Sequence, residues 1–238
     1  MTFRIIIICI LITIQTSFKK AHSQELIAAG VLAGIGVLSF HYDEEIHHLL
    51  GEYNNYYAYS TGKYFLEPIG GGYASLPLLA LSYSYGKLKG RNEFSDFAIQ
   101  GSKAFLLSRT IAYIPKYLLH RERPYEQQDP DKNVWHGASL QTTNTSFPSG
   151  HAASAFALAV VASKEFKEYT WVAPVAYSFA TLSSFSRVYR NQHWMSDMFA
   201  GCVIGILTGY AINKMPDMLF ISPSYTKDSA SISMILTF

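Results

Sequence analysis

The chain has 238 residues, of which 49% are hydrophobic and 15% charged, and a net charge of +2; the charged share is below that of ordinary soluble domains. With no basic run in the sequence, nothing recruits nucleic acid. A mean hydropathy of +0.10 is low for a protein made only of membrane spans, so two classes remain: an all-helical protein at a membrane, or a soluble helical bundle with an unusually apolar core.

Met1–Arg4 reads as a short basic segment and Ile5–Ile14 as an apolar one, while Ala21-His22-Ser23 offers small residues before a cleavage point at Gln24. Residues 1–23 are therefore expected to be a secretory signal, with a retained anchor as the alternative. Removal of Cys9 with that signal leaves Cys202, so neither an internal disulfide nor a cysteine metal site is expected. No Pro/Ser-rich linker or charge block follows, which favours one helical domain over residues 24–217.

Glu25–Phe40 is apolar, short for a membrane span, and carries Gly30 and Gly34 at a spacing that lets helices approach closely. His41 to His48 clusters histidines and acids; metal binding is one reading, and a helix start capped by Asp43 is the plainer one. The tyrosines from Tyr53 to Tyr64 suit an interfacial aromatic belt. Gly70-Gly71-Gly72 lacks the Gly-Lys-Ser/Thr of a phosphate loop and reads as a flexible connection. An apolar run over Tyr73–Tyr85 leads to a basic turn with Lys87, Lys89 and Arg91.

The next helix is expected over Phe94–Leu119, where Gln100, Ser102, Lys103, Ser108 and Arg109 suggest a buried, functional element. Pro124 ends it, and the polar stretch Tyr125–Ser146 is long enough for a functional loop. Helices then follow over Ala152–Ser163, over Tyr169–Phe185 and up to about Lys214, with Lys164 and Lys167 in the first connection. Gly201 and Gly205 permit close packing in the last of them. The expected fold is an all-α bundle of about six helices, followed by a β-prone tail over residues 218–238 that suits a small hairpin.

Three short motifs stand at helix ends: Lys116-x6-Arg123-Pro124, Pro148-Ser149-Gly150-His151 and Ser186-Arg187-x5-His193-x3-Asp197. If the chain is helical from His193 onward, His193 and Asp197 share a face at i and i+4, and the carboxylate holds the imidazole. Arg187 offers a planar fork suited to phosphate, and backbone N–H groups opening the helix at Gly150 point at an anion. Taken singly, each is also an ordinary feature: a snorkelling lysine, a helix-end arginine, a serine cap, a core histidine. His120, Arg121, His136 and Arg190 read as rim residues within reach of a substrate.

Together, in order and spacing, the motifs resemble the type 2 phosphatidic acid phosphatase superfamily, which also includes bacterial acid phosphatases and vanadium haloperoxidases. The resemblance covers Lys116 to Asp197, about a third of the chain. It implies that Lys116, Arg123 and Arg187 clamp the phosphoryl oxygens, with Ser149 and the Gly150 N–H completing the cradle. It further implies that His193 is the nucleophile of a phosphohistidine pathway, that Asp197 orients it, and that His151 protonates the leaving oxygen and later activates water. No metal or other cofactor is needed, because protein cations supply the charge. The implied substrate is a phosphorylated lipid or a small phosphate ester. A soluble periplasmic acid phosphatase, a vanadate-dependent haloperoxidase and a non-catalytic membrane protein remain as alternatives.

The basic turns at Lys87–Arg91 and Lys164–Lys167 lie opposite the three motifs. By the positive-inside rule, a membrane-embedded bundle would face its site outward from the cell envelope, provided that Glu25–Phe40 does not cross.

Overall fold

The computed structural model describes residues 23–53, 55–212, 219–226 and 229–236. The signal expected over residues 1–23 lies outside the described residues except for Ser23. Helix α1 (Ser23–His41) meets α2 (Asp43–Glu52) at a bend of 76°. Next come α3 (Tyr56–Thr61), a π-helical turn (Gly62–Leu66) and α4 (Glu67–Gly71) as one continuous run. Helices α5 (Ser75–Lys89), α6 (Asn92–Leu119), α7 (Gly150–Glu165), α8 (Val172–Tyr189) and α9 (Met195–Ile212) complete the bundle. With α1 they make, among the described residues, the six long helices expected. In the tail, β1 (Leu219–Thr226) and β2 (Ser229–Leu236) pair antiparallel, with Leu219 opposite Leu236 and Thr226 opposite Ser229.

The alanine-rich α7 is the central helix, buried continuously from Ala152 to Ala162 and packed against α6, α8 and α9. Small side chains on both partners let the axes come close. A Cβ on Gly201 would lie 2.3 Å from the Ser149 carbonyl, one on Gly205 2.4 Å from that of Ala153, and one on Gly209 2.7 Å from that of Ala157. Gly201 and Gly205 thus pack closely, as expected. Gly205→Ala is expected to force α7 and α9 apart, an overpacking cost of about 1–3 kcal/mol, read as a fall of roughly 2–12 °C in the thermal midpoint.

Three sequence expectations change. Gly30 and Gly34 face open space, and the close approach in α1 is made by Gly36, whose Cβ would lie 3.1 Å from that of Phe199. The glycine triple is no flexible connection: Gly72 (φ 100°) ends α4 in the left-handed region, and a Cβ on Gly70 would sit 2.9 Å from the His151 carbonyl. Nor is α1 confined to the short stretch expected over Glu25–Phe40. It packs antiparallel along α9, with Gly36 against Phe199 and Asp43 bonded to Ser196. Its 19 residues extend about 28 Å, as tall as α9.

The bundle therefore has two distinct ends. At one lie the end of α6, the start of α7 and the turn from α8 to α9. At the other, Arg91 Nη2 donates to Tyr169 Oη at 2.7 Å and the Phe94 and Phe166 rings meet at 4.9 Å, joining the two basic turns.

Candidate active site

At the first end, α6 stops because His120 adopts a left-handed conformation (φ 43°), and its ring then lies between the carbonyls of Gly137 and Gln141. The chain turns back over the helix end, and the Thr145 carbonyl accepts from Lys116 Nζ at 2.6 Å and from Arg123 Nη2 at 3.3 Å. Arg123 Nη1 also donates to the Gln192 carbonyl at 3.0 Å. One loop carbonyl thus aims two cations at the same space.

Ser149 caps α7, its Oγ accepting from Ala152 N, while its own N–H donates to the Asp197 carbonyl at 2.9 Å. Asn191, left-handed at φ 58°, ends α8 and lets Gln192 N bond back to the Arg187 carbonyl. This places His193 in the turn before α9, which starts at Met195. His193 and Asp197 therefore do not share a helical face. They meet because the turn folds the imidazole over the helix start, with Nδ1 3.8 Å from Asp197 Oδ2.

Lys116, Arg123, Gly150, His151, Arg187 and His193 line one cavity of about 260 Å³. Ser149 and Asp197 stand behind its wall, both fully buried. Sequence reading had not placed Tyr113, Tyr117, Thr142 and Thr145 in that wall, and had identified Arg109 only as a polar interior residue. For Arg109, Tyr113 and Tyr117 the signal was the helical spacing 109, 113, 116 and 117, which puts them on one face of α6; Thr142 and Thr145 come from the loop expected over Tyr125–Ser146. Burial holds the His193 imidazole well below its ordinary pKa; Asp197 opposes the shift, and Arg123 and Lys116 add to it.

Behind the cavity runs a buried charge network. Arg121, wholly buried, donates from Nη1 to Asp197 Oδ1 at 2.6 Å and from Nη2 to Asp43 Oδ2 at 2.8 Å. Asp197 Oδ2 also accepts from Ser146 Oγ at 2.5 Å and from Trp194 N at 2.9 Å, so its orientation is fixed before any ligand arrives. Asp43 caps the start of α9, accepting from Ser196 N at 2.9 Å, instead of its own helix, whose N-cap is Tyr42. Arg121 and His120 are interior supports, not rim residues. Arg190 shares Glu67 with Arg187, and His136 bonds Glu122 at 2.7 Å. Tyr189 donates to the Tyr53 carbonyl at 2.8 Å.

The family model described as PAP2 superfamily matches residues 102–221, half of the chain. Over 84 residues the chain is 36% identical to a lipid A 1-phosphatase of Porphyromonas gingivalis, which covers 35% of this chain and 19% of that protein. It is 26% identical over 141 residues to an undecaprenyl-diphosphatase of Sulfolobus acidocaldarius, 59% of this chain and 63% of the relative. Each match spans less than two thirds of the relative's length. Two solved structures share the fold. A transmembrane PAP2-type phosphatidylglycerolphosphate phosphatase from Bacillus subtilis superposes with a TM-score of 0.60 at 23% identity, covering 81% of this chain and 94% of that one. LpxE from Aquifex aeolicus gives 0.57 at 24% identity, covering 72% and 94%.

Proposed function

The chain belongs to the PAP2 superfamily, and from that premise we propose that it is a metal-free phosphatase acting on the phosphate monoester or diphosphate of a lipid. The observation that carries this reading is convergence. Three chain segments spanning Lys116 to His193 bring three cations and two histidines onto one small cavity. Its 260 Å³ is below the roughly 300–1,000 Å³ of sites that enclose drug-sized ligands, so it holds a headgroup and leaves acyl or prenyl chains outside. The named activities of the relatives, on lipid A, undecaprenyl diphosphate and phosphatidylglycerolphosphate, share that substrate class.

In this mechanism Lys116, Arg123 and Arg187 hold the equatorial phosphoryl oxygens and stabilise the transition-state charge. The Gly150 N–H completes the cradle, while Ser149, expected to share it but buried behind the wall, holds the start of α7 as its cap. Nδ1 of His193 faces Asp197, which leaves Nε2 for the cavity. Nε2 forms a bond to phosphorus as the ester P–O bond breaks, and His151 protonates the departing oxygen. Water, deprotonated by His151, then releases phosphate from His193. Asp197 stabilises the imidazolium formed in the first step. Its 3.8 Å separation closes as that charge appears, since hydrogen bonds of resting sites tighten in the reacting complex. A panel of lipid and soluble phosphate esters, assayed with and without detergent, tests the reading; release from soluble esters alone would favour a periplasmic acid phosphatase.

The pH profile follows from His193. Attack requires the neutral imidazole, and burial lowers its pKa, so the acid limb of kcat/KM is expected below the ordinary histidine value of about 6.5. The basic limb reports loss of the proton that His151 must donate, giving a bell. A profile flat from pH 4 to 9 contradicts the paired histidines.

The bundle sits in a membrane in this reading. Among the described residues α9 alone is long and apolar enough to cross by itself, and α1 with α2 passes as a bent pair. The argument for embedding is the outer surface: Leu81 (69% exposed), Leu88 (83%) and Leu106 (63%) face outward from α5 and α6, and Val175, Phe179 and Leu182 form a stripe along α8. Tyr53, Tyr56, Tyr57 and Tyr64, also exposed, suit the interfacial belt near the motif end. Positive-inside orientation puts the basic turns in the cytoplasm and the cavity outside. Because α1 runs the height of the bundle, Ser23 then lies inside as well, so this orientation requires that the chain is not cleaved before Gln24, in contrast to the signal expected over residues 1–23. Leu140→Cys is expected to react with an impermeant maleimide on intact cells and Leu88→Cys to be protected. The reverse labelling, or a mature N-terminus at Gln24, would place the cavity in the cytoplasm.

A further inference from the structure

The cavity holds one more cation than the phosphoryl clamp uses. Arg109 lies two turns before Lys116 on the same face of α6, and its Nη1 donates to the Gly70 carbonyl at 3.2 Å while the guanidinium lies 5.4 Å from the Phe105 ring centre. The same Gly70 carbonyl accepts from Ser154 Oγ at 2.6 Å, one turn below His151. A Cβ on Gly71 would sit 3.1 Å from His151 Nε2. The nitrogen that delivers the proton therefore turns toward the glycine corner on which Arg109 is anchored. Charge balance points the same way. Arg109, Lys116, Arg123 and Arg187 line the cavity, and among the described lining residues none is acidic. A phosphomonoester dianion leaves that excess of positive charge only partly met. Glu67 offsets Arg187 and Arg190 jointly from outside the lining.

We propose that Arg109 forms a second anion subsite on the leaving-group side of His151, selecting substrates whose leaving group carries its own phosphoryl charge, that is, diphosphates over simple monoesters. The inference rests on the phosphatase reading above. In the reaction it serves, the terminal phosphorus gains a bond to His193 Nε2 and loses its bond to the bridging oxygen. That oxygen takes the His151 proton and departs as a phosphate monoester, whose remaining phosphoryl oxygens stay against Arg109. Water then frees orthophosphate from His193. The site's neighbours fit a polar headgroup: Tyr113 and Tyr117, stacked at 6.1 Å, and Thr142 form the adjoining wall.

The test compares wild type, Arg109→Ala and Arg109→Lys in detergent on an isoprenyl diphosphate and the matching isoprenyl monophosphate. Arg109→Ala is expected to lower the diphosphate-to-monophosphate ratio of kcat/KM by about ten- to a hundredfold, the span of one charge-assisted hydrogen bond, with Arg109→Lys recovering part of it. An unchanged ratio overturns the subsite. A binding arm separates this from failure of the phosphatase reading. Calorimetric titration of the full chain carrying His193→Ala should show inorganic diphosphate binding more tightly than orthophosphate, and the added Arg109→Ala should remove that preference. Equal affinities before the second substitution overturn the subsite whether or not wild type turns over lipid. Preference without any wild-type turnover would retain the subsite and refute the enzyme.

Discussion

Replacing His193 with alanine is expected to lower phosphate release by about 10⁴-fold or more while leaving the fold intact. The rate loss follows from the role. Without the imidazole no covalent intermediate forms, and removal of a nucleophile elsewhere costs about as much as removal of the whole catalytic set. The retained fold follows from an observation on this chain. His193 is only 2% exposed, yet its Nδ1 has no hydrogen-bond partner among the described residues, Asp197 Oδ2 standing 3.8 Å away. A buried, unsatisfied polar atom destabilises by roughly 1–3 kcal/mol, so truncation removes a strained feature along with its packing. Phosphate release by a sensitive colorimetric assay, paired with the thermal midpoint, checks both halves. Equal release from wild type and variant would refute the phosphohistidine pathway. A lost midpoint would show that the ring supports the fold.

What was legible in the sequence, and what was not, divides by the kind of information each residue carries. The motif residues were legible because their chemistry requires particular side chains at particular offsets, and six of the eight assigned to the site line one cavity. The long helices were legible as apolar runs between Gly, Pro and basic turns. Gly201 and Gly205 could be read as close packers, but Gly30 and Gly34 carry the same spacing and face open space. Spacing alone does not tell which face of a helix meets a neighbour. Glu67 pairs with Arg187 and Arg190 across 120 residues or more, through a π-helical turn that no local propensity announces. Asp43 looked like a local cap because acids favour helix starts. It does cap a helix start, that of α9, and only the third dimension shows which one. Arg121 sits two residues before a motif arginine, and nothing in its sequence context separates an arginine facing substrate from one buried beneath it.

That last distinction yields the largest expected effect on stability. Arg121→Met is expected to destabilise the protein by about 3–5 kcal/mol, because it leaves Asp43 and Asp197 buried without their shared cation. For a chain of this size, this is a fall of roughly 6–20 °C in the thermal midpoint. Activity should fall with it, since Asp197 loses one of the three donors that hold it against His193. Asp43→Asn should cost less: the amide oxygen can still cap α9 at Ser196, and Arg121 keeps Asp197. In the double variant Asp43→Leu/Arg121→Met one orphaned carboxylate is gone, so the two costs should fall short of additive by 1 kcal/mol or more, a coupling typical of directly paired groups. The competing reading, an arginine at the rim that touches substrate, predicts the opposite pattern: a raised KM, an unchanged midpoint and additive single effects. Midpoint and KM measured together on Arg121→Met decide between them, because a guanidinium with no exposed surface reaches substrate only through the carboxylate that it holds.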